Sequence, residues 1–114
     1  MSSGCLFCKI VTGLIPAERV YEDEVCIAFP DINPQALTHV LVVPKEHIAS
    51  LAEAGPEHTE LLGRLMAAAA VVARQQKLDR GFRVVVNTGA EGGQTVSHLH
   101  LHVLGGRHMG WPPG

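Results

Sequence analysis

The chain has 114 residues, 46% hydrophobic and 18% charged, which is enough for one domain that buries roughly two-thirds of its unfolded surface. A net charge of −2 and a pI near 6.4 exclude the polybasic footprint of a nucleic-acid or anionic-membrane binder. The longest purely apolar run, from Leu65 to Ala73, is far too short to span a bilayer.

The first ten residues lack the charged start and apolar stretch of a secretory signal. Three cysteines without such a signal point to a reducing compartment, so a cytoplasmic location is expected. Cys5 to Val11 reads as a short helix ending near Gly13, with Cys5 and Cys8 on one face. Arg19-Val20-Tyr21 and Val25 to Phe29 read as a hairpin turning at Glu22-Asp23-Glu24. Asp31 to Gln35 is a loop framed by Pro30 and Pro34. Thr38 to Val43 is a nearly continuous apolar run stopped by Pro44, as a central strand would be, with His39 as its polar exception. Lys45-Glu46-His47 follows in a loop or short turn.

One long helix is predicted from Gly55-Pro56 to about Leu78, with proline at its first position. Leu61, Leu62, Leu65, Met66, Ala69, Val72 and Ala73 form its apolar stripe, which places Met66 in the core. Phe82 to Asn87 reads as another strand, and Thr88 to Val96 is a glycine-rich loop. The tail from Gly105 has no regular pattern. Mostly antiparallel strands with one long helix over a face is an α+β domain, taken here as a single unit over 1–114.

The glycine-rich loop feeds into Ser97-His98-Leu99-His100-Leu101-His102-Val103-Leu104, where strict alternation predicts a strand. His98, His100 and His102 would share one face, and Leu99, Leu101 and Val103 would cover a core on the other. Three imidazoles in one row are hard to explain as packing, because each ring has two nitrogens that need partners. A metal cage is the rival. Same-face neighbours lie about 6.6 Å apart, so His98 and His102 are roughly 13 Å apart, and one zinc ion with bonds of about 2 Å could take two members but hardly all three. Histidine is nucleophile, acid–base group and phosphate partner by chemistry, and the row reads as an active site. Glycines, a hydroxyl and an amide just before it make a candidate phosphate cradle.

The run Gly-Gly-Gln-Thr-Val-Ser-His-Leu-His-Leu-His-Val-Leu-Gly-Gly resembles the signature of the histidine-triad (HIT) superfamily, His-x-His-x-His-x-x with apolar x. The resemblance extends upstream through Tyr21-Glu22-Asp23, Ala28 to Gln35 and Thr38 to Lys45. The ending Trp111-Pro112-Pro113-Gly114 resembles the branch of histidine-triad nucleotide-binding proteins. The resemblance implies a homodimeric HIT-like fold that binds a purine nucleoside monophosphate moiety and hydrolyses nucleoside 5′-phosphoramidates, with no organic cofactor. By the same analogy His100 attacks the α-phosphorus, His102 steadies the phosphate, His98 shapes the row, and His39 sits beside His100 to set its tautomer. Asp31 would accept from the ribose hydroxyls, with Phe7, Phe29 and Ile32 near the base. Asn87, Gly93 and Gln94 would contact the phosphate side, and Thr95 would stand where family members carry a serine that faces the departing amine. Ser97 stands where a tyrosine is common.

Cys5-x-x-Cys8 is a weak redox signal on its own. Some bacterial histidine-triad proteins combine this motif with two histidines to hold a structural zinc. The matching set here is Cys5, Cys8, His47 and His98, and a Cys₂His₂ set suits tetrahedral zinc. The alternative is two cysteines packed as small apolar residues. Two other functions compete: a dinucleoside polyphosphate hydrolase, against which the tail argues, and a nucleotide-binding interaction module with incidental turnover. A nucleotidyl transferase is disfavoured, since that branch usually carries glutamine where this chain has His102.

Overall fold

The computed structural model describes residues 4–114, so the first three residues of the expected domain lie outside it. Helix α1 (Leu6–Val11) is followed by strands β1 (Tyr21–Glu22), β2 (Cys26–Pro30) and β3 (Thr38–Pro44). Helix α2 (Thr59–Gln75) comes next, and β4 (Phe82–Val85) and β5 (Leu101–Gly105) close the chain. The five strands form one antiparallel sheet in the order β1-β2-β3-β5-β4. This is the expected α+β arrangement. No helix among the described residues is long and apolar enough to cross a membrane.

Side-chain alternation along the central strands sorts residues to two faces. Cys26, Ala28, Val40, Val42, Leu101 and Val103 pack against Leu65, Ala68, Ala69, Val72 and Ala73 of α2. Ile27, Phe29, Leu41 and Val43 face the other way, against Phe7, Cys8 and Ile10 of α1 and Cys5, which caps it. Because both faces are covered, β2 and β3 read as continuous apolar runs. His102, between Leu101 and Val103, therefore falls on the α1 face, as does His39 two residues before Leu41.

Three expectations are corrected. The long helix begins at Thr59, because Pro56–His58 forms a 3₁₀ turn in which the His58 N–H bonds the Gly55 carbonyl at 2.9 Å. Met66 is 54% exposed, since it lies about 100° around the helix from Leu65 and leaves the stripe centred on Leu65, Ala69 and Val72. The strand of the histidine row begins at Leu101 rather than Ser97. His98 folds back, its N–H bonded to the Val96 carbonyl at 2.9 Å, and the Leu99 N–H bonds Ile48 rather than a neighbouring strand.

Candidate active site and candidate metal centre

Leu41 of β3 is the register partner of His102, which makes His39 its diagonal neighbour on the same face. The His39 ring lies with Nε2 2.8 Å from His102 Nδ1. His39 Nδ1 accepts the Gln35 N–H at 3.0 Å, so the ring proton sits on Nε2 and is donated to His102. His102 Nδ1 is thus an acceptor and its Nε2 carries the hydrogen. That Nε2 is the one buried side-chain nitrogen or oxygen without a partner among the described residues. Burial, then the neighbouring His100 and His39, hold the His102 pKa down at about 4, so the ring is neutral at neutral pH. Burial also lowers that of His39, against the pull of the Asp31 carboxylate, whose Oδ2 is 3.5 Å from its Nε2.

His100 is fixed differently. Its Nδ1 donates to the His98 carbonyl at 2.7 Å, which leaves the Nε2 lone pair to the cavity. The structure therefore places His39 against His102 and not, as expected, against His100, whose tautomer is set by backbone. The register explains this: His102 is paired in the ladder beside β3, whereas His100 precedes it.

The cavity holds about 510 Å³. Phe7, Ile10, Ile15, Phe29 and Leu41 are among its apolar lining, and Asp31, Thr95, His100 and His102 among its polar lining. Ile32 stands fully exposed at its edge. Asp31 Oδ1 accepts the Asn33 N–H at 2.8 Å, which shapes the loop that carries it. Asn87, Gly93 and Gln94 do not line this cavity. Gln94 uses its amide to brace the glycine-rich loop, donating to Ala49 and Val96 carbonyls at 2.7 and 2.9 Å and accepting the Gly89 N–H at 3.0 Å. The N–H groups of Gly93 and Gln94 are likewise bonded within the loop, to Ala90 and Gly89. Asn87 lies two residues past Val85, the partner of His102, where pairing has ended. Sequence reasoning missed Val96, Leu41 and the Ile15-Pro16-Ala17 segment as lining. Leu41 shares the parity of His39, but a run apolar on both faces hides which face matters.

The ring of His98 turns away from His102 toward α1. Its Nδ1 is 3.3 Å from Cys5 Sγ, 3.6 Å from Cys8 Sγ and 3.2 Å from His47 Nδ1, and Cys8 Sγ is 3.3 Å from His47 Nδ1. The edges of a tetrahedral zinc site are about 3.3 Å between nitrogens and about 3.5 Å between nitrogen and sulfur, from bond lengths of about 2.0 and 2.3 Å. The four donor atoms lie within 4.8 Å of one another, and the separations of 3.2 to 3.6 Å match those edges. His98 Nε2 donates to the Pro44 carbonyl at 2.8 Å, which leaves Nδ1 a lone pair aimed into the cluster. The donor set fits a divalent ion. Asp31, His39 and His102 also converge, yet His39 Nε2 carries a proton and lies only 2.8 Å from His102 Nδ1, so that trio is a hydrogen-bonded relay. The third cysteine, Cys26, lies in the α2-side core, its thiol pushed up to about 12 by burial and by Asp23.

Comparison with known proteins places these features in a family. The family described as scavenger mRNA decapping enzyme, C-terminal binding, matches residues 4–111. An uncharacterized HIT-like protein of Synechococcus elongatus is 54% identical over 114 residues, the whole of both chains. A 14 kDa zinc-binding protein of Zea mays is 52% identical over 98% of this chain and 89% of its own. The adenylylsulfatase HINT1 of Arabidopsis thaliana is 45% identical over 98% and 78%. The crystal structure of a HIT family hydrolase from Legionella pneumophila superposes with a TM-score of 0.95 at 49% identity, covering 97% of this chain and 100% of that one. On this likeness in sequence and structure, the chain belongs to the histidine-triad superfamily.

Proposed function

We propose that the protein hydrolyses purine nucleoside 5′-phosphoramidates through a nucleotidyl-histidine intermediate. The observation that carries this reading is the pairing of the His100 Nε2 lone pair with the partnerless His102 Nε2–H in the lining of one largely apolar cavity. His100 Nε2 attacks the α-phosphorus, the P–N bond breaks, and the amine departs with a proton taken up from solvent, which the water of the next step returns. Water then cleaves the N–P bond to His100 and releases the nucleoside monophosphate. His102 donates its Nε2–H to a phosphate oxygen that gains charge, and His39 holds His102 in that tautomer. Thr95 faces the leaving amine, Asp31 accepts from the ribose, and Phe7, Phe29 and Ile32 flank the base.

Cys5, Cys8, His47 and His98 would hold a zinc ion, which supplies a tetrahedral cross-link between α1 and the segments that carry the two histidines. The name of the Zea mays relative supports zinc. The functional unit is a cytoplasmic homodimer in which 1–114 forms one domain.

The name of the Arabidopsis relative supports a second reading, in which the group displaced from the adenylyl phosphorus is sulfate. Incubation with adenosine phosphoramidate, adenylyl sulfate and diadenosine polyphosphate in parallel separates the readings. Fastest release of AMP is expected from the phosphoramidate. Turnover confined to either of the other two would replace the proposal.

A further inference from the structure

The segment that carries His100 has no sheet to hold it. Pairing of β5 with β3 begins at Leu101, opposite Val42, and His98, Leu99 and His100 precede it. Three ties take the place of the ladder, and all lead to the cysteine–histidine cluster. The carbonyl that receives the His100 Nδ1–H at 2.7 Å belongs to His98, whose ring sits within the cluster. The Leu99 N–H donates at 2.7 Å to Ile48, the residue after His47. Phe7, between Cys5 and Cys8 on α1, sets its ring edge-on to His100 at 5.0 Å and to His98 at 5.9 Å.

We propose that the Cys5–Cys8–His47–His98 cluster, loaded with a divalent ion, is the positioning device of His100, so that loading controls the geometry of attack. The proposal deepens the hydrolase reading and rests on His100 as the attacking residue. An attacking imidazole must be held within a fraction of an ångström. One backbone acceptor selects the His100 tautomer, but that acceptor must itself be fixed. The ring of His98 anchors the acceptor at two points, Nε2 on the Pro44 carbonyl and Nδ1 in the cluster. Loosening the Nδ1 anchor lets the carbonyl swing about the remaining one. Loosening the two cysteines frees α1, which presses Phe7 onto the other side of the ring. His47, Cys5 and Cys8 touch no reacting atom and act through His98 and Phe7. The linkage is reciprocal: a nucleotide that orders His100 must tighten the cluster around its ion.

The test measures how fast excess chelator extracts zinc from the loaded, full-length protein, with and without saturating AMP. AMP is expected to slow extraction at least threefold in wild type and to have no effect in His100→Ala, where the connecting ring is gone. The variant His47→Ala is expected to lower kcat for adenosine phosphoramidate at least tenfold with KM changed less than threefold. Its long-range proton–nitrogen spectrum should replace the single His100 Nδ1–H tautomer with a mixture. Bound AMP that leaves wild-type extraction unchanged overturns the proposal. So does a folded His47→Ala protein with wild-type kcat and one His100 tautomer. If His47→Ala does not fold, the extraction measurement on wild type decides alone. Turnover retained by His100→Ala would instead overturn the nucleophile assignment, a result distinct from an extraction rate that ignores AMP.

Discussion

Each histidine around the cavity takes its tautomer from one neighbour: His39 from the Gln35 N–H, His102 from His39, and His100 from the His98 carbonyl. Two substitutions read out the consequence. His100→Ala should remove nearly all turnover while AMP binding stays measurable, because the apolar lining and Asp31 remain. His102→Ala removes one donor to the developing charge and should cost about 10²–10³ in kcat, less than His100→Ala. The reverse order in steady-state kinetics would exchange the two roles. Outside the cavity, Asp23 carries a pH-dependent part of the stability. Burial works to raise its pKa, but the Val25 N–H, the Tyr21 hydroxyl and the Cys26 N–H outweigh it and hold it at about 2. A carboxyl depressed in the folded state favours folding above its unfolded value of about 3.9, and the benefit fades as pH falls toward 2. We expect Asp23→Asn to cost about 2 kcal/mol at pH 7, from the depression of about two units. The difference from wild type in urea melts should shrink between pH 4 and 2, and a constant difference would show that the carboxylate charge is not involved.

Helix α2 shows how burial is distributed within one element. Leu65, Ala68, Ala69, Val72 and Ala73 meet the sheet, while Leu61 and Leu62 are partly buried at its N-terminal end. Leu65 is the largest fully buried side chain of the helix. Leu65→Ala should cost about 2–5 kcal/mol, read as a lower urea midpoint with an unchanged slope. A loss below about 1 kcal/mol would mean the helix settles over the gap. Small residues at Ala68, Ala69 and Ala73 let the helix backbone approach the strands. Ala68 is therefore spent on the core and is not available to a second subunit, whereas Ala67 and Ala70 remain outside it. The glycine-rich loop is tight for a similar reason. A Cβ on Gly92 would strike the carbonyl oxygen and nitrogen of Thr88, so only glycine closes the turn that leads to Thr95 and Val96.

For the molecule as a whole, β4 ends the sheet, and its unpaired edge carries Phe82, 46% exposed, close to Ala70 and Arg74 of α2. Met66, one turn before Ala70, is also exposed. An open strand edge beside apolar side chains is a surface that a protein covers or blunts, and a two-fold dimer, the commonest oligomer, is one way to cover it. We expect light scattering at micromolar concentration to report twice the chain mass of 12.2 kDa. A stable mass of 12.2 kDa would refute the homodimer.

Sequence alone determined the elements whose signals are local. The apolar run of β3, the hairpin, the stripe of α2 and the α+β class all follow from periodicity, because burial on one or two faces imposes a spacing on the chain. Tertiary structure decided what depends on residues far apart in the chain. The convergence of Cys5 and Cys8 with His47 and His98, the contact of His39 with His102 rather than His100, and the use of Gln94 as a brace are set by long-range packing and by backbone carbonyls at Pro44, Ala49 and His98. Backbone acceptors leave no trace in residue identity, since every residue has one. A sequence therefore names the histidines but not which nitrogen of each is available, and that choice is made by the fold.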